Sequence, residues 1–302
     1  TAVDILQKQN LDLSPIYKIP LEIAIYDDSG KHIYKVIADQ LTNSFKFSYT
    51  GKLACVLVDQ QQMLLAKVRE DKPVDQLIFQ YYNSNRYKPR REALLRVSSN
   101  KSDYAQQVVL DALHDRFWAI RKLAIEQANK LNDSFKGIVF KEIHQLCETD
   151  SNSFVRSAAI EFLAKYDVNP TFETLCLNRI EQDRSYMVIA SALRSLAKFS
   201  SEKAILKAKL LEKEKSSRII SEIAQLYGEF GDSSTFDFFE TTLKSKKLST
   251  YDEVGVMNEM TLLLSRQTID FLEKSIDLYH CLEDEGGTYT KMLLPQNISY
   301  LI

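Results

Sequence analysis

Up to about residue 70, apolar and polar positions alternate along this chain. The segments IPLEIAIY, HIYKVIAD, FKFSY, LACVLVD and MLLAKVR are parted by the turn sequences DDSGK and TGK. Alternation with period two puts every second side chain on one face, and the branched residues suit a pleated, half-buried surface. The pattern predicts a small antiparallel β-sandwich over residues 1–72.

After Lys72 and Pro73 the apolar spacing becomes helical, as in VDQLIFQYY, REALLRV and YAQQVVLDALHD. Four of the six prolines precede residue 90, and only Pro170 lies between Arg90 and Leu294. A boundary near residues 69–74 therefore separates the sandwich from a helical domain over residues 73–302, giving a mainly α chain with a small all-β domain. Helix starts are expected at Thr250, with Glu253 three residues later as a capping box, and at Pro170 and Thr171.

The helical part repeats itself. DRFWAIR begins at Asp115, DSNSFVR at Asp150 and DRSYMVI at Asp183. Aligned on an alanine, the copies place Ala124, Ala159, Ala192 and Ala224 in register at spacings of 35, 33 and 32. That is the period of helix pairs. The small residue lets the second helix of a pair approach its neighbour, Ile120, Val155 and Val188 fill the seam, and the Asp caps the following helix. Such units bury their apolar faces only by stacking, which predicts an α-solenoid. Asp115 with Arg121, and Asp150 with Arg156, resemble the Asp and Arg positions of HEAT repeats, where they form a structural ladder between neighbouring units. Anion or substrate binding is the alternative role for these arginines. Ile189 replaces the Arg in the third copy and KSSRIIS lacks the Asp in the fourth, so the ladder is expected to fade.

The bulk numbers narrow the partners. The 302 residues are 45% hydrophobic and 26% charged, and 39 Lys and Arg against 41 Asp and Glu give a net charge of -2. Nothing there draws the chain to nucleic acid or an anionic membrane. TAVDILQKQN lacks the basic start and apolar core of a signal peptide, and no run of about 18 apolar residues is present to span a bilayer. A soluble chain follows, with cytoplasm and periplasm both open. Its first residue, Thr rather than Met, suggests a piece cut from a longer protein. Cys55, Cys147, Cys176 and Cys281 lie far apart without a C-x-x-C spacing, and are expected to be small buried thiols.

No reaction centre emerges. The histidines are His32, His114, His144 and His280, and none belongs to an H-E-x-x-H pair. His144, Cys147 and Glu148 in HQLCE share one helical face but lack an obvious fourth metal ligand. There is no G-x-S-x-G, P-loop or G-x-G-x-x-G; Gly286 and Gly287 fit a helix stop. EKEKSSR and LKSKKLS are expected to be solvated faces, and Trp118 and Tyr186 core aromatics.

VIADQLTNSFKF, from Val36 to Phe47, is similar to the strand-turn-strand of the small sandwich in zinc aminopeptidases of the aminopeptidase N family; Asp39, Phe45 and Phe47 match. The run from Val58 to Leu94 resembles that family's passage into its helical domain: an Asp, a Leu-Leu pair, a Lys-containing linker, F-Q, then R-x-x-A-L. Ile37 stands where an aromatic is usual and Gln60 where Pro is common. The resemblance implies the non-catalytic C-terminal part of such an enzyme, with the sandwich as spacer and the solenoid covering the active-site chamber. The family's zinc and catalytic residues belong to a preceding domain, so this chain would carry no cofactor. Its partners would be that catalytic domain and peptide substrates. Arg184 and Arg218, which open two second helices, become candidates for meeting peptide carboxylates. The alternative is a protein-binding scaffold from a relative that has lost its zinc site.

Overall fold

A computed structural model describes residues 1–166 and 171–301, and the backbone alone of Asp270. The chain divides into two compact units, Thr1–Val139 and Phe140–Ile302.

The first unit opens with β1 (Ala2–Leu6), β2 (Ile19–Asp27), β3 (Gly30–Ala38), β4 (Thr42–Lys46) and β5 (Cys55–Val58). They form two small antiparallel sheets, one of β1 and β4, the other in the order β3-β2-β5. The β2–β3 hairpin turns at Gly30, whose φ of +119° disfavours any side chain. Asp27 holds the turn: Oδ1 accepts the Ser29 N–H and hydroxyl at 2.8 and 2.7 Å, and Oδ2 accepts the Thr50 N–H at 2.8 Å. Those hydrogen bonds, led by Ser29, bring its carboxyl down to about 2.

The segment MLLAKVR forms no strand. Asp59, at φ +51°, turns the chain and accepts the Met63 and Leu64 amides at 2.9 Å each, which leaves Met63 and Leu65 in solvent. Conversely AVDIL, outside the predicted strands, is β1.

Ile23, Ala24, Ile25, Ala38 and Cys55 are fully buried, and Tyr26 meets Phe79 edge to face at 5.2 Å. Phe79 belongs to α1 (Val74–Asn83), which packs on β5 and on α2 (Tyr87–Val97). Next come α3 (Asp103–Ala112) and α4 (Trp118–Gln127), packed together, with α2 against α4. The long α5 runs from Asp133 to Thr149 across the division of the units.

The second unit continues with α6 (Ser153–Tyr166), α7 (Thr171–Gln182), α8 (Tyr186–Ala197), α9 (Ser201–Leu211), α10 (Ser217–Phe230), α11 (Phe236–Lys244), α12 (Thr250–Leu264), α13 (Ile269–Glu285) and α14 (Thr288–Leu301). Here α6, α8, α10, α12 and α14 each pack on the next, while α7, α9, α11 and α13 pack on members of that row. Ala124, Ala159, Ala192 and Ala224 are all fully buried, as are Ile120, Val155 and Val188. α7 begins at Thr171, and Pro170 lies outside the described residues.

Two local expectations are corrected. Tyr186 is not a core aromatic; it is 42% exposed at the start of α8, with its hydroxyl 2.6 Å from Glu214. The cap of α12 is Ser249, whose hydroxyl accepts the Asp252 N–H at 3.2 Å, rather than Thr250. Glu253 serves another helix: it accepts the Gly287 N–H at 2.8 Å and the Thr290 hydroxyl, holding the start of α14.

Candidate functional site

Charged groups of the helical repeat are held in built contacts. Asp115, which precedes α4, accepts the Phe117 N–H at 2.8 Å, the Tyr81 hydroxyl at 3.1 Å and the Arg90 guanidinium. Arg121 donates to the Asp115 carbonyl at 2.8 Å. The second unit repeats this geometry. Asp150 accepts the Asn152 N–H at 2.8 Å, and Arg156 donates to the Asp150 carbonyl at 2.8 Å. Arg156 then reaches on to Asp183, Nε to Oδ2 and Nη2 to Oδ1, both at 2.7 Å. In both copies the Arg thus holds the carbonyl of its own Asp, and in the second its remaining donors hold the carboxylate of the following repeat.

Asp183 is nearly enclosed, its side chain 2% exposed. Burial, the largest effect on it, opposes ionisation. The Arg156 hydrogen bonds, the Ser185 N–H and the Arg156 and Arg179 charges together outweigh that burial and hold the carboxyl below its ordinary range.

Beyond Asp183 the seam changes residues. Arg194 of α8 forms a two-pronged pair with Glu222 of α10, Nε to Oε1 at 3.0 Å and Nη2 to Oε2. Burial pushes Glu222 above the usual carboxylate range, against the pull of Arg194 and of the nearby Arg218 charge. Ser157 and Ser191 bond across α6 and α8 at 2.8 Å, and Ser191 donates to Glu161 at 3.0 Å. Between α12 and α14, Asn297 donates to Asn258 at 3.0 Å beside a shallow hollow of about 560 Å³, lined also by Thr261, Gln296 and Tyr300. Arg90, Arg194, Glu222, Asn258 and Asn297 are outside the sites the sequence singles out.

Arg184 and Arg218 are both exposed, at the openings of α8 and α10. Neither forms an ion pair among the described residues.

Cys147 of HQLCE is fully buried, and burial pushes its thiol up to about 12; burial does the same to Cys176. Among the described residues, no group of three His, Cys, Asp or Glu side chains is placed to hold a metal ion. The arrangement offers amides, hydroxyls and guanidinium groups for binding.

No protein-family model and no curated protein matches this chain by sequence. Among solved structures, it is similar to Legionella pneumophila aminopeptidase A in complex with aspartic acid, at a TM-score of 0.55 and 12% identity, over 99% of this chain and 44% of that one. The chain therefore spans less than half the length of that aminopeptidase. At this identity the likeness is one of fold. Human deoxyhypusine hydroxylase in complex with glycerol overlaps at a TM-score of 0.34 and 11% identity, over 76% of this chain and 95% of that one, too little to carry an argument.

Proposed function

We propose that this chain is the non-catalytic C-terminal region of a zinc aminopeptidase-like protein. Its β part acts as a spacer, and its helices stack as a HEAT-like solenoid that covers the active-site chamber and limits which substrates enter. One observation carries the reading: the chain aligns over 99% of its length, strands and helices together, with 44% of an aminopeptidase. In this reading the zinc and the hydrolytic groups belong to the remaining part of the protein. The described residues contain no set that fits the metal, so no chemical step is assigned to them. Their work is steric and electrostatic, as for other covers that control access. Arg184 and Arg218 supply unpaired guanidinium groups for the carboxylates of longer peptides.

The test uses the full-length gene product. An H-E-x-x-H helix upstream, stoichiometric zinc and release of N-terminal residues from peptides are expected. Removing residues 74–302 should relax the size limit, and Arg184→Ala with Arg218→Ala should raise KM for tetrapeptides while leaving dipeptides unchanged. An upstream sequence without zinc ligands would instead give the chain the role of a protein-binding scaffold.

A further inference from the structure

In the β part of the first unit, the β1 edge has a groove beside it. Thr1 and Phe47 exchange backbone hydrogen bonds at 2.8 Å in both directions, and Gln7 donates to Leu41 at 2.9 Å. In an antiparallel ladder bonded residues alternate, so Val3 and Ile5 face β4 while the N–H and C=O groups of Ala2, Asp4 and Leu6 point away from it. Those three residues make no hydrogen bond to any other strand or side chain among the described residues.

The β5 edge of the neighbouring sheet is treated differently. On β5, the outward Val56 N–H is taken by Gln76 Oε1 and the Val58 N–H by Glu70 Oε1, each at 3.2 Å. Side chains blunt that edge, the usual protection of an exposed strand. Nothing blunts β1. A groove of about 670 Å³ runs along it, lined by Val3, Ile5, Ile19, Leu21, Val56 and Val58 and by the irregular segment after Leu64. The edge is also fixed in place. Gln7 closes its end, accepting the Tyr17 N–H at 3.0 Å and donating to the Tyr17 carbonyl at 2.8 Å.

We propose that this groove is a strand-addition site that takes an extended polypeptide segment, hydrogen-bonded to Ala2, Asp4 and Leu6, with apolar side chains at alternate positions on the groove floor. Main-chain bonds supply affinity in this mode, and the floor selects side chains with period two. The rim adds a charge preference. Lys8, Lys67 and Arg69 are exposed and without ion pairs, against the exposed Asp4 and Asp71, while Glu70 is paired with Lys72. The excess is positive, so the segment carries acidic residues at its ends.

The probe is a capped, fluorescent nonapeptide alternating Val and Thr between terminal Glu residues, titrated by anisotropy against the whole chain. Saturable binding is expected, about tenfold or more weaker when alternate peptide nitrogens are methylated. Exchange of the Ala2, Asp4 and Leu6 amides should slow on binding. Asp4→Pro removes an outward N–H without touching the β1–β4 ladder, a place where a strand tolerates proline, and should weaken binding similarly. If that variant does not fold, the methylated peptide and the exchange data decide. Equal binding of the methylated peptide, or no saturation up to about 1 mM, overturns the proposal. So does sedimentation showing that the chain dimerises through β1 and that Asp4→Pro abolishes the dimer, because the occupant would then be a second copy.

Discussion

Arg156 and Asp183 are joined by two parallel hydrogen bonds of 2.7 Å from one helical repeat to the next. The pair is largely enclosed, with side chains 15% and 2% exposed. Removing one partner of such a pair leaves the other charge desolvated, which costs about 3–5 kcal/mol. Asp183→Asn should therefore speed amide exchange in α6 and α8 and lower the denaturant midpoint of the second unit. Asp183 lies below its ordinary range in the fold, so its contribution is complete above about 3.9, the unfolded value, and is lost as pH falls through the lower folded one. The gap between Asp183→Asn and the wild type should close below about pH 4.

Ala159 tests the packing of the row. It is fully buried in α6, which packs on α8. Ala159→Leu forces extra volume into a close seam and should cost about 1–3 kcal/mol. Lys165 is exposed on the same helix, over the Tyr166 ring at 5.2 Å, and Lys165→Ala should stay within about 0.5 kcal/mol of the wild type. Equal denaturant midpoints for the two variants would mean that the alanine column is not a packing seam.

The hairpin carboxylate Asp27 has its own pH window. Its carboxyl is brought to about 2 by the Ser29 and Thr50 hydrogen bonds, so it stabilises the β2–β3 turn fully above its ordinary value of about 3.9. That contribution disappears as pH falls toward 2. Asp27→Asn should lower Tm at pH 7 and lose its effect near pH 2; a constant difference across that range would remove Asp27 from the turn.

Three of the four thiols, Cys55, Cys147 and Cys176, are buried. Burial pushes Cys55 up to about 11 and the other two to about 12. An aromatic disulfide reagent at pH 8 should therefore react quickly with Cys281 alone in the native chain and with all four after denaturation. Fast native reaction of Cys147 would place HQLCE at the surface.

The legible parts of this fold are those where one pattern decides local structure. Period two at Ile19–Asp27 and Gly30–Ala38 coincides with a real hairpin, buried at its centre through Ile23, Ala24 and Ile25. The same period at MLLAKVR predicts a strand that is absent, because Met63 and Leu65 have no surface to pack on and Asp59 captures the local amides. The alanine column shows in sequence because close helix approach tolerates only a small side chain. Arg194 with Glu222, and Asn258 with Asn297, carry no such signal: each pair lies on different helices, and nothing in the spacing selects those partners. Arg90 did leave a signal. It stands three residues before the fully buried Ala93, as Arg121 stands before Ala124 and Arg156 before Ala159.

That register makes Arg90 the most informative remaining substitution. If the column extends upstream to Ala93, then Arg90 does for Asp115 what Arg156 does for Asp183, and the structure places its guanidinium on the Asp115 carboxylate with both side chains under 10% exposed. Tyr81 also donates to that carboxylate, and burial, with the Asp115 charge, raises the Tyr81 phenol well above its usual range. Arg90→Met keeps the apolar stem and removes the charge. It leaves a buried carboxylate without its Arg90 partner, a loss of about 3–5 kcal/mol in the first unit. Adding Asp115→Asn to Arg90→Met should recover part of that loss, because the stranded charge is then gone. The measurement is a double-mutant cycle in urea, with exchange of the α2 and α4 amides as the local readout. If the two changes simply add, the pair is not coupled, and the repeat begins at Ala124.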